Sequence, residues 1–572
     1  MPAIASSALV FVLSLLAADR PAAAAGERER LDRGLVAIRA EQGQVYVGWR
    51  LLPSDPTDVS FNVYRQSGSA ATKLTAQPVA KTTDYLDTSA PAGPVSYFVR
   101  AVTGGAEAAP SAAAACSADL MPYQSIRLQG PYDFQKIGMA DLDGDGRLDY
   151  VIKHPQDNID PYEKYWKPSP DTYKLEAYAH DGRFLWRYDL GWSIERGIWY
   201  SPYLVYDLDG DGRAEIIAKT GEGDPRDTDG RVQTGPEYVT VLDGRTAKPL
   251  AQTAWPARES FKDEGYNRAS RNQLGVAYLD GKKPSLIVAR GTYKQMTAVA
   301  YDYRDGKLQQ RWQWSNVGAP KECQGQGAHW MHNVDIDGDG RDEVILGSVV
   351  LDPNGKLRWT TGLGHPDSLY VGDIDPARPG LEIYYNIESR RTRDGMCLVE
   401  AATGKLLWGY DQPTRHVHSF GLCSDIDPRH PGSECYGADT DAEKKFAFGL
   451  LHSATGQLIS RENLGGFGLR VAYWDADRQR ELIRDKSIVK YLGGQVGQIS
   501  GKFVAAADIL GDWREEIIVS LPGEMRIYTT TLRATDRRLC LLADPIYRNN
   551  VAHATMGYYQ CPMTSYDLGR QP

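Results

Sequence analysis

DLDGDGRLD, the nine residues from Asp141 to Asp149, decides how the rest of this chain is read. Carboxylates at every second position, glycines that permit a tight turn and an acid eight residues on form an oxygen cage for a hard cation such as Ca²⁺. The candidate ligands are Asp141, Asp143, Asp145 and Asp149. Copies stand at Asp207, Asp209, Asp211 and Glu215 (DLDGDGRAE) and at Asp335, Asp337, Asp339 and Glu343 (DIDGDGRDE). An EF-hand would place its last acid at the twelfth position, between two helices. Here an apolar or mixed run precedes each loop and a β-branched run follows, as in LVYDLDGDGRAEIIAK, so the motif is a hairpin between strands.

Weaker copies occupy the same place between two strands: VAYLDGKKPSLIV (Asp280), VGDIDPARPGLEIYY (Asp373), CSDIDPRHPGSECYG (Asp425), VAYWDADRQRELI (Asp475) and AADILGDWREEIIVS (Asp508). From Asp141 to Asp508 the units recur about every 52 residues, a length that suits a propeller blade of several strands. Turn and strand signals between the hairpins, such as DGRFLWRYDL and TGKLLWGYDQ, supply each outer half. The expectation is an all-β chain whose residues 122–572 form an eight-bladed β-propeller.

A chain of 572 residues with 57 Gly, 33 Tyr and 42% hydrophobic residues fits a turn-rich, aromatic-rich β protein. Its net charge of -9 lacks the basic footprint of a nucleic-acid partner. Beyond the N-terminus no run is apolar for the ~20 residues of a membrane helix. Residues 1–25 read as a secretory signal, with an apolar core from Ala8 to Ala18 and small residues ending at Ala25, although Lys and Arg are missing from its start. A secreted or periplasmic monomer is expected. Seven Cys (116, 323, 397, 423, 435, 540 and 561) show no metal-finger spacing, and any pairing stays open.

Residues 26–121 alternate short strands with turns, as in VSFNVYRQSG and VSYFVRAVTGG, the pattern of a fibronectin type III-like sandwich with Trp49 and Tyr64 as core residues. The Ala/Pro-rich run from Gly104 to Asp119 reads as a linker or a last-strand edge. Within the propeller, TGEGDPRDTDGR offers Asp224, Asp227 and Asp229, with Glu237 near enough to join them; another cation loop and a solvated turn fit equally well.

Histidine is scarce, ten in the chain, so its grouping is informative. His329 and His332 precede the third full loop, His365 and Asp367 follow in the next unit, and His416 and His418 precede the acidic hairpin of the unit after that. A lone His is more often a hydrogen-bonded core residue. Recurrence at the equivalent place of three consecutive units points instead to convergence at one mouth of the propeller.

GLVAIRAEQGQVYVGWRLLPSDP, the three acidic loops, GPEYVTVLDGRT, GLGHPDSLYVGDIDPARPGLEIY, ILGDWREEIIV and DPIYRNNVAHATMGYYQCP resemble the rhamnogalacturonan lyases of polysaccharide lyase family 11. That resemblance implies an eight-bladed propeller behind a β-sandwich, several Ca²⁺ ions, and β-elimination at rhamnosyl-α-1,4-galacturonate linkages of an acidic polysaccharide, rhamnogalacturonan I. It implies a deep cation site of His329, His365, Asp367 and Glu388. It also implies substrate contact by Gly501 and Lys502, a cleft tyrosine at Tyr558, and Glu176 where the family has a substrate-binding Asp. Phe420 stands in place of a cleft Arg, with His416 and His418 beside it to compensate.

The chemistry needs a neutralised uronate carboxylate, a base for the carbon-5 proton and a donor to the leaving oxygen. Lys502 or His418 is the candidate base and Tyr558 the candidate donor. Two alternatives stay open, a lyase for another rhamnose-uronate polymer and a non-catalytic, calcium-stabilised carbohydrate-binding propeller.

Overall fold

A computed structural model describes residues 30–40, 43–117, 120–156, 160–418, 421–465 and 468–569. The N-terminal signal expected over 1–25 and Phe420 both lie outside the described residues.

The chain begins with two antiparallel sheets. One holds Val36–Arg39, Val45–Gly48 and Asp84–Asp87; the other is centred on Ser60–Ser67 and Val95–Thr103. Their inward faces bury Trp49, Phe61, Val63, Tyr97 and Val99 in one core. Tyr64 departs from expectation. Strand side chains alternate, so Val63 points inward while Tyr64 points out and stacks on its cross-strand neighbour Phe98, with centroids 4.9 Å apart. The Ala/Pro-rich run is an edge: Ala106–Glu107 and Ala114–Cys116 both pair with Val95–Thr103.

Among the described residues, eight four-stranded antiparallel sheets then follow one another along the chain. Seven are built from consecutive strands. The eighth joins Lys502–Ala507, Glu516–Leu521 and Glu524–Tyr528 to Tyr123–Arg127 from the other end of this region. First strands pack side by side: Lys136–Ala140 touches both Tyr203–Tyr206 and Lys502–Ala507, and Asn272–Ala277 lies between Tyr203–Tyr206 and His332–Val334.

Each acidic hairpin joins the first two strands of its sheet, and in all but the third sheet, where Ser285 stands, a buried acid at the start of the second strand braces it. The N–H groups of Leu142, Leu208 and Ile336 donate to Asp149, Glu215 and Glu343 at 3.1, 2.9 and 3.1 Å. Hairpins without the three-Asp pattern do the same, with Glu382, Glu434, Glu481 and Glu516 accepting from Ile374, Ile426, Trp474 and Ile509. A buried carboxylate that accepts backbone N–H groups replaces the water it lost. Burial still pushes the Glu215 carboxyl up to about 9 and that of Glu343 up to about 8.

In the seventh sheet an ammonium fills the hairpin. Lys490 Nζ lies 2.5 Å from Asp475 and 3.8 Å from Glu481, and it also bonds Asp477. The separate acidic run is likewise internally compensated: Asp224 pairs with Arg226, Asp229 with Arg231, and Asp227 accepts from Gln233. Glu237 stands apart from it, held by Lys219 at 2.6 Å, Arg258 at 2.5 Å and Arg290.

The two-sheet unit docks at the hairpin end of the first and last sheets. Asp32 N–H donates to Gly146 O at 2.8 Å inside the first acidic loop, and Gly511 N–H donates to Gly34 O at 2.7 Å. Arg514 reaches Tyr46 at 2.7 Å. The helix Pro545–Ala552, capped by Asp544, packs on the first strands of the first, second and fourth sheets. Asn549 donates to Asn333 O at 2.8 Å, Tyr547 to Glu515 at 2.7 Å, and the following tail meets Leu369 through Gln560 at 3.2 Å. This segment belongs to no sheet and ties the first strands together.

Candidate active site

The end of each sheet opposite its hairpin is where first strands begin and second strands end. His329 precedes the strand His332–Val334, Asp367 is the second residue of the strand Pro366–Gly372, at its register shift, and Glu388 follows Glu382–Ile387. His416 and His418 precede Leu422–Ser424. Consecutive sheets thus deliver these side chains to one place, as their recurrence in the sequence predicts.

His365 Nε2 lies 3.2 Å from His329 Nε2 and 3.3 Å from Glu388. His329 Nε2 lies 3.3 Å from Asp367, whose other oxygen is 3.3 Å from His418 Nδ1. His418 Nδ1 and His416 Nε2 stand 3.7 and 3.8 Å from Glu388. His332, by contrast, turns away and meets Asn550 at 3.4 Å.

The protonation pattern follows from burial. Desolvation lowers the His329 imidazole and takes His365 to about 4, so both rings are neutral at neutral pH. Burial also opposes ionisation of Asp367, but hydrogen bonds from His329 and His418 outweigh it and hold its carboxyl well below the usual range. For His418 burial disfavours charge, yet the hydrogen bond and charge of Asp367, with Glu388 behind, raise it.

His365 Nδ1 faces the Gly327 carbonyl, which can only accept, so Nδ1 carries the proton and Nε2 keeps its lone pair. That lone pair faces the Glu388 carboxylate at 3.3 Å. Two acceptors in opposition are the arrangement a bound cation resolves, and the Nδ1–H contact to a carbonyl is the orienting bond that metal-ligating histidines make. His329, His365, Asp367 and Glu388 therefore fit a cation site, with His416 and His418 beside it. The acidic hairpins also cluster, as Asp141, Asp143 and Asp149, as Asp207, Asp209 and Glu215, and as Asp335, Asp337 and Asp339, each set with one oxygen per residue within 4.8 Å. Asp145 and Asp211 turn to Arg147 at 2.5 Å and Arg213 at 3.7 Å.

Tyr558 stands against this cluster, its ring 5.2 Å from His329 and 5.4 Å from Trp199. Burial raises its phenol, so it remains a proton donor at neutral pH. Trp199, Tyr293 and Arg271 complete the wall: Tyr293 lies 3.4 Å from His329, and the Arg271 guanidinium lies 4.8 Å over Trp199. These three escaped the sequence reading. The signal was positional, since Arg271 immediately precedes Asn272–Ala277 and Trp199 closely precedes Tyr203–Tyr206, as the histidines precede theirs.

Lys502 belongs to a second group, at the seam of the first and last sheets. It is 60% exposed and its Nζ bonds Asp133 and, at 2.8 Å, Gln156. Glu176 is buried there, accepting from Tyr178 at 2.6 Å, Arg187 Nε at 2.6 Å and Tyr132, with His154 Nε2 at 3.3 Å. A sugar approaching this wall meets Tyr132 and Arg187 before Glu176, which in this arrangement orients its neighbours. Gly501 has a positive φ, and a Cβ there would lie 2.8 Å from Val519 and Leu521. Phe503 packs 4.8 Å from Tyr559, the residue after Tyr558, so the tail bridges the two groups.

Comparison with known proteins bears on the family of the chain. The model of the rhamnogalacturonan lyase family 11 C-terminal domain matches residues 127–571, and that of the rhamnogalacturonan I lyases beta-sheet domain matches 26–116. The rhamnogalacturonan endolyase YesW of Bacillus subtilis is 38% identical over 599 residues, covering 96% of this chain and 92% of that protein. The exolyase YesX of the same organism is 35% identical over 606 residues, 95% of each. The crystal structure of YesW superposes with a TM-score of 0.87 at 36% identity, over 96% of this chain and 98% of that one. A Bacillus licheniformis rhamnogalacturonan lyase gives 0.87 at 35%, over 95% and 97%. Matched by both family models and by relatives over 95–96% of its length, the chain belongs to rhamnogalacturonan lyase family 11 and is a polysaccharide lyase.

Proposed function

We propose that this chain is an exported, Ca²⁺-dependent lyase that cleaves rhamnosyl-α-1,4-galacturonate linkages of rhamnogalacturonan I by β-elimination. Its eight sheets act as the blades of a propeller spanning 122–572, behind a fibronectin type III-like sandwich over 26–121. The observation that carries the reading is the convergence of two neutral imidazoles and two carboxylates beside Tyr558.

A divalent cation held by His329, His365, Asp367 and Glu388 would serve as a Lewis acid toward the uronate carboxylate, making the carbon-5 proton acidic. Around that position the chain's own groups divide the remaining work. Tyr558, kept protonated by burial, is suited to donate to the leaving rhamnosyl-bearing oxygen. Lys502 is exposed and held by Asp133, a carboxylate that an incoming uronate can displace. His418, 39% exposed beside Asp367, is the alternative proton carrier. Its raised affinity for a proton favours the acid form in the free enzyme, so His418, like the ion-paired Lys502 ammonium, must give up a proton before it can serve as the base.

The test is release of ultraviolet-absorbing unsaturated uronate from a panel of uronate polymers, with Ca²⁺ and with chelator. Product from rhamnogalacturonan I that disappears with chelator is the expected result. Product only from a different rhamnose-uronate polymer would reassign the substrate and give Phe420 its meaning. No product from any polymer would overturn the lyase reading.

A further inference from the structure

We propose that the loop from Asp160 to Lys167 is a distal sugar-binding platform, which takes rhamnose-uronate residues of the same polymer several units from the bond being cleaved. The inference rests on the lyase reading above and extends it to a surface outside the cation cluster.

The loop connects Asp149–His154 to Lys174–Tyr178, so it projects from the site end of the first sheet, opposite the Asp141–Asp149 hairpin. A short turn over Glu163–Tyr165 presents two aromatic rings to solvent. Tyr162 is 44% exposed and Tyr165 58%, and their centroids lie 5.8 Å apart. Neighbouring exposed aromatic faces mark a surface that binds something.

The base beneath them is rigid. Trp166 donates to Asp229 O at 3.2 Å and sets its edge against Tyr200 at 5.9 Å and Tyr266 at 5.6 Å. Arg231 covers the same indole at 5.1 Å. Held in this way, the two tyrosines are presented outward while the third aromatic ring of the loop is spent on anchoring it.

The platform is continuous with the active-site wall. Asp160 pairs with Arg271 at 3.1 Å, Arg271 lies over Trp199 at 4.8 Å, and Trp199 is 5.0 Å from His329. Tyr162 and Tyr165 are two and five residues beyond Asp160, so an extended chain keeps them within ~7 and ~17 Å of that pair. A polymer lying in the cleft reaches them a few residues from the scissile bond.

The chemistry suits an acidic, partly apolar sugar chain. Tyr rings offer flat faces for sugar C–H groups and a hydroxyl at the rim. Of the loop's acids, Asp160 is neutralised by Arg271, and beyond it Asp171 pairs with Lys174 at 2.6 Å. Lys164 then offsets Glu163, and its Nζ sits 5.6 Å from the Tyr165 ring, where a uronate carboxylate on that ring would meet it.

The test uses the full chain with Tyr162→Ala/Tyr165→Ala and, as the conservative control, Tyr162→Phe/Tyr165→Phe. KM and kcat are measured on long polymer and on the shortest oligosaccharide that wild type cleaves. The Ala pair should raise the polymer KM about tenfold at unchanged kcat, while the short substrate keeps its wild-type KM and the Phe pair recovers most of the loss. Equal KM shifts on both substrates, or none on polymer, would overturn the platform while leaving the lyase assignment intact. Should wild type cleave nothing, polymer binding by calorimetry decides instead: weaker binding by the Ala pair alone supports the platform, and equal binding by both pairs removes it.

Discussion

Lys490→Met tests the idea that the acidic hairpins are built around a positive charge, whatever its source. The ammonium lies 2.5 Å from Asp475 and 3.8 Å from Glu481, with Asp477 also bonded. A charge pair at about 4 Å is worth about 4 kcal/mol at the effective dielectric of a protein surface. Lys490 is 34% exposed, so screening and side-chain entropy reduce the net loss to about 1–2 kcal/mol. Methionine preserves the length of the side chain and removes the charge, leaving three carboxylates facing a site that a cation can enter. At about 10 mM Ca²⁺ and a dissociation constant of about 1 mM, binding returns about 1.4 kcal/mol. The assay is denaturant unfolding with chelator and with Ca²⁺, alongside the metal content of protein at dialysis equilibrium with about 10 mM Ca²⁺. The variant should be weaker than wild type in chelator, recover in Ca²⁺ and carry one more Ca²⁺ than wild type. Equal stability in chelator together with equal metal content would refute the reasoning.

Excess chelator should lower the melting temperature of wild type, because the Asp141, Asp207 and Asp335 loops then hold mutually repelling carboxylates; an unchanged melting curve would count against cation binding there. Lys502→Ala should lower kcat by about 100-fold or more while weakening polymer binding less than about tenfold, as measured by turnover and calorimetry on one preparation. Acid should destabilise the chain through its buried neutral histidines away from the cation cluster. Burial lowers His332 and His452 to about 4 and His553 to about 3, from an ordinary 6.5. The unfolded chain therefore takes up these protons first, so the stabilisation is present above pH ~6.5 and is lost as pH falls toward ~4, at up to about 3 kcal/mol per histidine. Urea midpoints that stay flat from pH 7 to pH 4.5 would contradict that account.

The repeat was legible because three hairpins carry the full local instructions, alternating acids, a glycine turn and a β-branched strand, and the others keep an acid at the same place between two strands. The double duty of the last acid was not. Asp149, Glu215 and Glu343 read as cation ligands, yet Glu382, Glu434 and Glu516 make the same backbone contacts in hairpins without the three-Asp pattern. A carboxylate has two oxygens, and spacing alone does not say which task each one takes. Lys490 was invisible for a different reason, since it reaches the hairpin from the following strand. At the site, grouping revealed the histidines, but the burial of Glu176, which stands where the family has a substrate-binding Asp, was not legible. Its neighbours Tyr132 and His154 come from other parts of the chain, and burial of that kind is set by packing that no local pattern encodes.

The tail links the two groups of side chains that are proposed to work on one substrate. The cation cluster comes from the fourth to sixth sheets, whereas Lys502 opens the first strand of the eighth. Between them, Lys136 Nζ, buried on the first strand of the first sheet, donates to Gly557 O at 2.6 Å and to Met556 O at 3.2 Å. Gly557 has a φ of 56°, and a Cβ there would lie 2.9 Å from His329 O. Only a residue without a side chain lets the tail press so closely on the histidine backbone. The next residue, Tyr558, is thereby set against His329, and the one after it, Tyr559, against Phe503 beside Lys502. If Tyr558 is the proton donor proposed above, carrying it on a surface loop would require it to be ordered each time substrate bound. Carried on a segment that is clamped from both sides by the sheets it joins, Tyr558 is already ordered, so binding energy remains for the uronate itself.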